Sequence, residues 1–267
     1  MTPSEALAAV CGLIGAEAQQ RSGSVFYSGL DTLREGEFYL MGFNPGGDVA
    51  KHADRTIERA LPQAGPWSAY EDDCWQDECA GLAQCPRRPP GWAMCPKVHQ
   101  RRVREILGVL GETPRQVFAT NCVFVRSPTT ETLAEAKDRS WEDICWPAHQ
   151  WFLGIVRPQV IVTLGKGFGR TAFCALMNRA GVQKNLVTTL GEGGSTDARV
   201  FVGRFDLGGG VFHAATVIGV PHPSRFQMTA SSRDALGKAA KRAGDGISLD
   251  DYLALTDAQR AAFHSGA

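Results

Sequence analysis

Four short runs of almost unbroken apolar residues set the strongest limit on how this chain can fold. "EFYLMG" (37–42), "QVFATN" (116–121), "PQVIVTLG" (158–165) and "HAATVIGVPH" (213–222) are rich in Val, Ile and Phe. None alternates with polar residues as a strand with one wet face would, so each reads as a strand buried on both faces. Segments of helical period separate them: "HQRRVREILGVLG", closing at Gly111; "WEDICWPAHQWFLGIV", opened by Ser140; and "FGRTAFCALMNRAG", ending at Gly181. Strand and helix in alternation predict right-handed crossovers and helices on both faces. The expected fold class is α/β, a three-layer α/β/α domain around a central, mostly parallel four-stranded sheet. Residues 198–212, "ARVFVGRFDLGGGVF", predict a strand that turns through Gly208, Gly209 and Gly210 into the last one, a hairpin beside the parallel core.

With 267 residues and 43% hydrophobic content, the chain can bury one full core. Residues 1–244 are expected to form a single domain, with a Cys-, Pro- and Trp-rich insertion at 48–97 and an amphipathic tail at 245–267. Pro3 and Ser4 signal a helix start, the N-terminus has no basic leader, and no apolar run approaches the roughly 18 residues of a spanning helix. The expectation is a cytoplasmic monomer with no membrane partner. Eight irregularly spaced cysteines fit a reducing compartment better than a disulfide scaffold.

Basic and acidic residues number 28 each, so a site for a polyanion must come from local clustering. Two clusters exist: Arg87, Arg88, Lys97, Arg101, Arg102 and Arg104, and later Arg233, Lys238, Lys241 and Arg242. Each reads equally well as a solvated face.

In a parallel sheet, ligands sit outside the carboxyl ends of the strands. Three strand ends then share a rim: "GFNPGG" (42–47), "TNCVFVR" (120–126) and "VPHPSRF" (220–226). Each brings a compact polar group, Asn44, Asn121 or His222, beside Pro or Gly. Taken singly, Asn44 reads as a turn residue, Asn121 as a loop cap and His222 as a surface histidine. Their joint placement favours a site.

These motifs, with "ATN…R", "C-W-P-x-H" and "P-x-V-I-V-x-L-G" in the same order, resemble the uracil-DNA glycosylase superfamily over roughly residues 37–47 and 98–242. The Asn-Pro-Gly motif is nearest the mismatch-specific and single-strand-selective branches. The resemblance implies a monofunctional DNA glycosylase that flips a damaged or modified pyrimidine out of DNA and cleaves its glycosyl bond. The base would be uracil, a 5-substituted pyrimidine or a hypermodified phage base, the last making the role phage defence. Asn44 would hold the attacking water, and His222 would donate to the pyrimidine O2 as charge builds there. Because an amide is no proton acceptor, Asp48, Asp72 and Asp73 are candidates to assist. Gly42, Phe43, Pro45 and Gly46 would floor the base pocket, Asn121 would read the base edge, and Trp67 or Tyr70 would stack on it. Ser224, Arg225 and Phe226 would face the duplex, with Arg225 or Phe226 as wedge. Ser231 and Ser232 would open a helix toward a phosphate, and Arg101 and Arg102 would add DNA contacts. Trp67 and Phe226 read equally well as core aromatics.

The chemistry needs no cofactor. Cys145 matches an iron–sulfur ligand position of one branch, but Val125 stands where that branch has another ligand. Cys74, Cys79, Cys85 and Cys95 crowd into the insertion and suit a structural zinc or an iron–sulfur cluster, or simply packing. Two rival readings remain: a nucleic-acid or nucleotide-binding module of the same fold without catalysis, and a hydrolase with Cys122 as nucleophile and His222 as base.

Overall fold

The computed structural model describes residues 1–75, 96–190, 195–244, 251 and 254–265. Its strands are β1 (Phe38–Gly42), β2 (Phe118–Asn121), β3 (Val160–Leu164), β4 (Thr188–Leu190), β5 (Ala198–Asp206) and β6 (Phe212–Val220). The helices are α1 (Pro3–Gln19), α2 (Val98–Val109), α3 (Trp141–Val156), α4 (Ala172–Arg179), α5 (Ala230–Gly244) and α6 (Asp257–Ser265). Across the sheet the order is β2-β1-β3-β6-β5-β4. The four apolar runs pair in parallel, whereas β5 and β4 add antiparallel. The sheet is therefore six-stranded and mixed, not four-stranded. The expected hairpin forms, with Gly208, Gly209 and Gly210 all at positive φ, but it is an integral part of the sheet that covers the open edge of β6. Three-residue β4 is too short to carry a periodic signal.

Alternate residues of β1 divide the core. Tyr39 and Met41 join a cluster with α1, α3 and α4, while Phe38 and Leu40 join one with α2 and α5. This places helices on both faces and explains why the strands lack polar alternation. The first helix begins at Pro3, as expected: Thr2 caps it and Glu5 completes a capping box, with Pro3 in the first turn. Residues 22–28 then run antiparallel along the outer edge of β2, with bridges from Gly23 to Val125 and Phe26 to Thr120. The front of the insertion packs back on this segment through Ser22–Thr56 and Ser28–Ser68.

In α3, Pro147 lies inside the helix and has no N–H to give the Asp143 carbonyl. The Arg139 guanidinium donates to that carbonyl at 2.7 Å instead. Two residues on, His149 is fully buried beneath the rim. Its Nε2 donates to the Cys122 carbonyl at 2.9 Å, so Nδ1 is the acceptor, taking the Tyr39 hydroxyl at 3.2 Å. One neutral imidazole thus ties α3 to β1 and to the loop after β2. Burial pushes its pKa down to about 4, although the Cys122 bond pulls the other way.

Because the folded pKa lies below the ordinary value of about 6.5, the unfolded chain binds the extra proton. His149 should therefore leave stability intact above pH 6.5 and erode it as pH falls toward 4, by about 1.4 kcal/mol per pH unit. Urea midpoints from pH 7.5 to 4 should show this slope, and a His149→Gln variant, less stable at pH 7.5, should lose that share of it. Equal slopes in the two proteins would rule out a neutral buried imidazole.

Candidate active site at the strand ends

The rim loops after β1 and β2 are stitched together. Cys122 N–H donates to the Gly42 carbonyl at 2.9 Å, Val123 to Phe43 at 2.7 Å and Ser127 to Pro45 at 3.0 Å. Arg126 Nη1 donates to the Gly46 carbonyl. Gly42 stands opposite Asn121 in register, and a Cβ on Gly42 would fall 2.1 Å from Asn121 Oδ1. Only glycine leaves the Asn121 side chain room to lie there.

Asn44 has one possible amide orientation. Its Nδ2 donates to the Pro45 carbonyl at 3.0 Å and to Ser127 Oγ at 2.8 Å, and Ser127 in turn donates to the Thr129 carbonyl at 2.6 Å. A carbonyl only accepts, so the nitrogen must face it. Asn44 Oδ1 is left with no protein donor among the described residues and can hold a water or ligand N–H. Asn121, 4% exposed, lies in hydrogen-bond contact with the Tyr27 hydroxyl.

From Tyr27 a chain of rings crosses to the other side of the rim. Tyr27 meets Tyr70 at 5.9 Å, Tyr70 stacks on His99 at 5.9 Å and 10°, and His99 meets His222 edge-on at 5.4 Å. Trp75 touches Tyr27, Tyr70 and His99. Both histidines are neutral. His99 is lowered to about 3 by burial, then by His222 and Arg102; His222 is lowered by burial, then by Arg225. The Ser224 N–H points at His222 Nδ1 at 3.3 Å and the Ser224 hydroxyl lies 2.7 Å from it. A backbone donor requires an unprotonated Nδ1, so the imidazole proton sits on Nε2. His222 is therefore a neutral hydrogen-bond donor, the form able to stabilise a developing oxyanion.

The other candidates fall into different places. Phe43 and Tyr70 are buried within the two cores, and Tyr70 has His99 on its face, so a base has no free face there. Half-buried Trp67 is held through its carbonyl by Gly29 N–H and lies outside the ring chain. Tyr27 is the partly exposed ring in contact with Asn121, and partly exposed Trp75 lies against Tyr27. Sequence reasoning missed both, and His99, because they come from segments with no strand-end motif. Ser224, though exposed, is bonded to His222 and orients it. Arg102 is a brace, donating to the Pro223 carbonyl at 2.8 Å, while Arg101 is exposed. Arg225 and Phe226 project from the turn after His222, Phe226 with 40% of its surface exposed. Thr229 caps α5; Ser231 is exposed, but Ser232 is fully buried and donates to Asp197 at 3.0 Å, which turns it away from any phosphate.

Among the assisting carboxylates, Asp48 caps Ala50 N–H and Asp72 is tied to Arg115 and Ser68. Asp73 lies beside Trp75, its carboxyl raised by burial and then by Asp72. Cys122 is 4% exposed and burial drives its thiol well up, which removes the nucleophile of the hydrolase reading. Cys145 is fully buried and accepts Phe124 N–H at 3.5 Å, a packing role. Cys79, Cys85 and Cys95 lie outside the described residues. Cys74 is half-buried, and among the described residues no three metal-ligating side chains converge. No described helix is long and apolar enough to cross a membrane.

Gly42→Ala should destabilise the protein by about 1–3 kcal/mol through overpacking against Asn121. In an Asn121→Ala background the same change should be nearly neutral. Urea midpoints of the four proteins check the coupling, and equal costs in both backgrounds would show that Asn121 does not fill that space.

Searches against protein-family models and against curated proteins return no match for this chain, so the functional reading rests on the site itself.

Proposed function

We propose that the protein is a monofunctional DNA glycosylase acting on a damaged or modified pyrimidine. The observation that carries this reading is the pairing, on one rim, of an Asn44 amide oxygen without a protein donor among the described residues and a neutral His222 whose proton is on Nε2. Cleaving an N-glycosyl bond needs a water held at the sugar face and a donor where the departing base gathers negative charge. Asn44 and His222 fit these two tasks. Neutral His222 suits the second, since an Nε2–H bond strengthens as the base oxygen becomes anionic. Asn121 and Tyr27 form the recessed polar wall for the base edge, and Tyr27 and Trp75 are the rings beside it. Exposed Phe226 and Arg225 are placed to fill the gap left in the duplex. Asn44 takes no proton from the water, so the reaction should favour bases that leave as stable anions, and Asp73 is the carboxylate best placed to relieve that limit.

Single-turnover assays with uracil, 5-hydroxymethyluracil, 5-hydroxymethylcytosine and its glucosylated form, in single and double strands, test the reading. Excision of at least one 5-substituted pyrimidine at or above the rate for uracil is expected. A uniform preference for uracil would make this an ordinary repair enzyme; binding without abasic-site formation would leave only a binding module.

His222→Ala and Asn44→Ala should each lower the excision rate about 10²–10³-fold, the usual cost of one transition-state hydrogen-bonding group. Ser127→Ala, which frees the Asn44 amide to rotate, should lower it by a smaller factor without changing DNA affinity. Near wild-type rates in both His222→Ala and Asn44→Ala would remove the site assignment.

A further inference from the structure

A second charged feature lies on the same rim, on the far side of the Asn-Pro-Gly-Gly turn. The Arg126 guanidinium, held on the Gly46 carbonyl, lies within 3.3 Å of the space beside Gly47, and the His52 ring borders the same space at 3.5 Å. Gly47 has φ 109°, so the chain takes a left-handed bend here that brings backbone close to both side chains. Arg55 follows His52 by one turn, its N–H on the His52 carbonyl. The N–H groups of Gly46, Gly47 and Asp48 donate to no protein acceptor among the described residues.

Beyond the Arg126 bond to the Gly46 carbonyl, these groups have no ionic partner among the described residues. Arg126 is half-buried, and its Nε is buried with no hydrogen-bond partner. Neither Arg126 nor Arg55 forms an ion pair among the described residues. Three carboxylates lie nearby, Asp48, Asp54 and Asp73, of which Asp48 caps Ala50 N–H and none reaches the arginines at ion-pair distance. Positive charge works against positive charge instead: Arg126 is lowered by burial, opposed by Tyr27, and by Arg55, and His52 by burial, then by Arg126 and Arg55. A partly buried guanidinium facing a second arginine, with no ion-pair partner for either among the described residues, is suited to an anion brought from outside.

We infer that Arg126, Arg55, His52 and the Gly46–Gly47 backbone form a phosphate-binding site. In combination with the function proposed above, on which this last step rests, the phosphate is a backbone phosphodiester of the DNA strand whose base enters the pocket. Arg126 spans the two sites, because its backbone continues the loop that orients Asn44 through Ser127. A bound phosphate would thus press the Asn-Pro-Gly-Gly turn against the loop after β2 as the base enters. It would also favour protonation of His52, so phosphate should bind more tightly as pH falls through the His52 titration.

The test uses Arg55→Ala, an exposed change that leaves the Arg126–Gly46 bond intact. Thermal melts in inorganic phosphate against chloride at equal ionic strength should show stabilisation of the wild type and little or none of the variant. Affinity for a single-stranded oligonucleotide should fall about 3–10-fold, and the slope of log affinity against log salt should drop by about one unit. Replacing phosphodiesters one at a time by neutral methylphosphonates should reveal one position that weakens the wild type and not the variant. A deoxynucleoside monophosphate distinguishes the source: if it matches inorganic phosphate but no methylphosphonate position couples to Arg55, the site takes a terminal phosphate. Stabilisation by phosphate in a protein that binds no DNA keeps the anion site and overturns the glycosylase reading. Equal phosphate response and equal salt slopes in the two proteins overturn the site.

Discussion

Parallel pairing of β1 with β2, ending at Gly42 opposite Asn121, is the constraint on which the rest of the rim depends. Parallel neighbours end on the same side, so the turn after one strand must lie against the loop after the other. Here the contact is close enough to bond almost residue by residue, and the absence of a side chain at Gly42 lets Asn121 lie across it. From that contact follow the fixed orientation of the Asn44 amide, through Ser127, and the position of Arg126 over Gly46. His149 supports the same junction from below by joining Tyr39 of β1 to the Cys122 carbonyl. A buried group with both ring nitrogens satisfied is what a junction of three elements needs, since an unpaired polar atom there would cost about 1–3 kcal/mol.

The rim separates two electrostatic environments. At His222 lie two imidazoles held uncharged by burial and the rings of Tyr27, Tyr70 and Trp75, with Arg102 and Arg225 at the border. Around Gly46 and Gly47 lie Arg126 and Arg55, neither with an ion-pair partner among the described residues. A neutral donor surrounded by rings acts on charge that develops during a reaction, while an uncompensated cluster acts on charge already present in a ligand. The anion site inferred above would need only such local clustering, not a net positive charge on the chain. Ser224 and Arg102 also have work within the fold, since one holds the His222 tautomer and the other braces the turn that follows.

Uniformly apolar runs revealed the four parallel strands and their helices because burial on both faces is written into local sequence, as are the glycine hairpin and the cap at Ser140. Asn44, Asn121 and His222 could be placed on one rim for the same reason, each being the first polar group after a strand. Other features depended on residues distant in sequence. Residues 22–28 have no period, yet they cover the edge of β2 and bring Tyr27 to Asn121 across more than ninety positions. His99 sits on a helix whose pattern shows only its apolar face, and its pairing with Tyr70 and His222 appears when three segments meet. Ser232 has the sequence of a helix start but faces the core, because Asp197 accepts its hydroxyl from a neighbouring element. Sequence by itself determined which segments are buried strands and helices and which polar groups end them, since these follow from local hydrophobic period and turn chemistry. Tertiary structure alone decided which of those groups are neutral, oriented or engaged, because hydrogen-bond partners, burial and charge repulsion come from residues far apart in the chain.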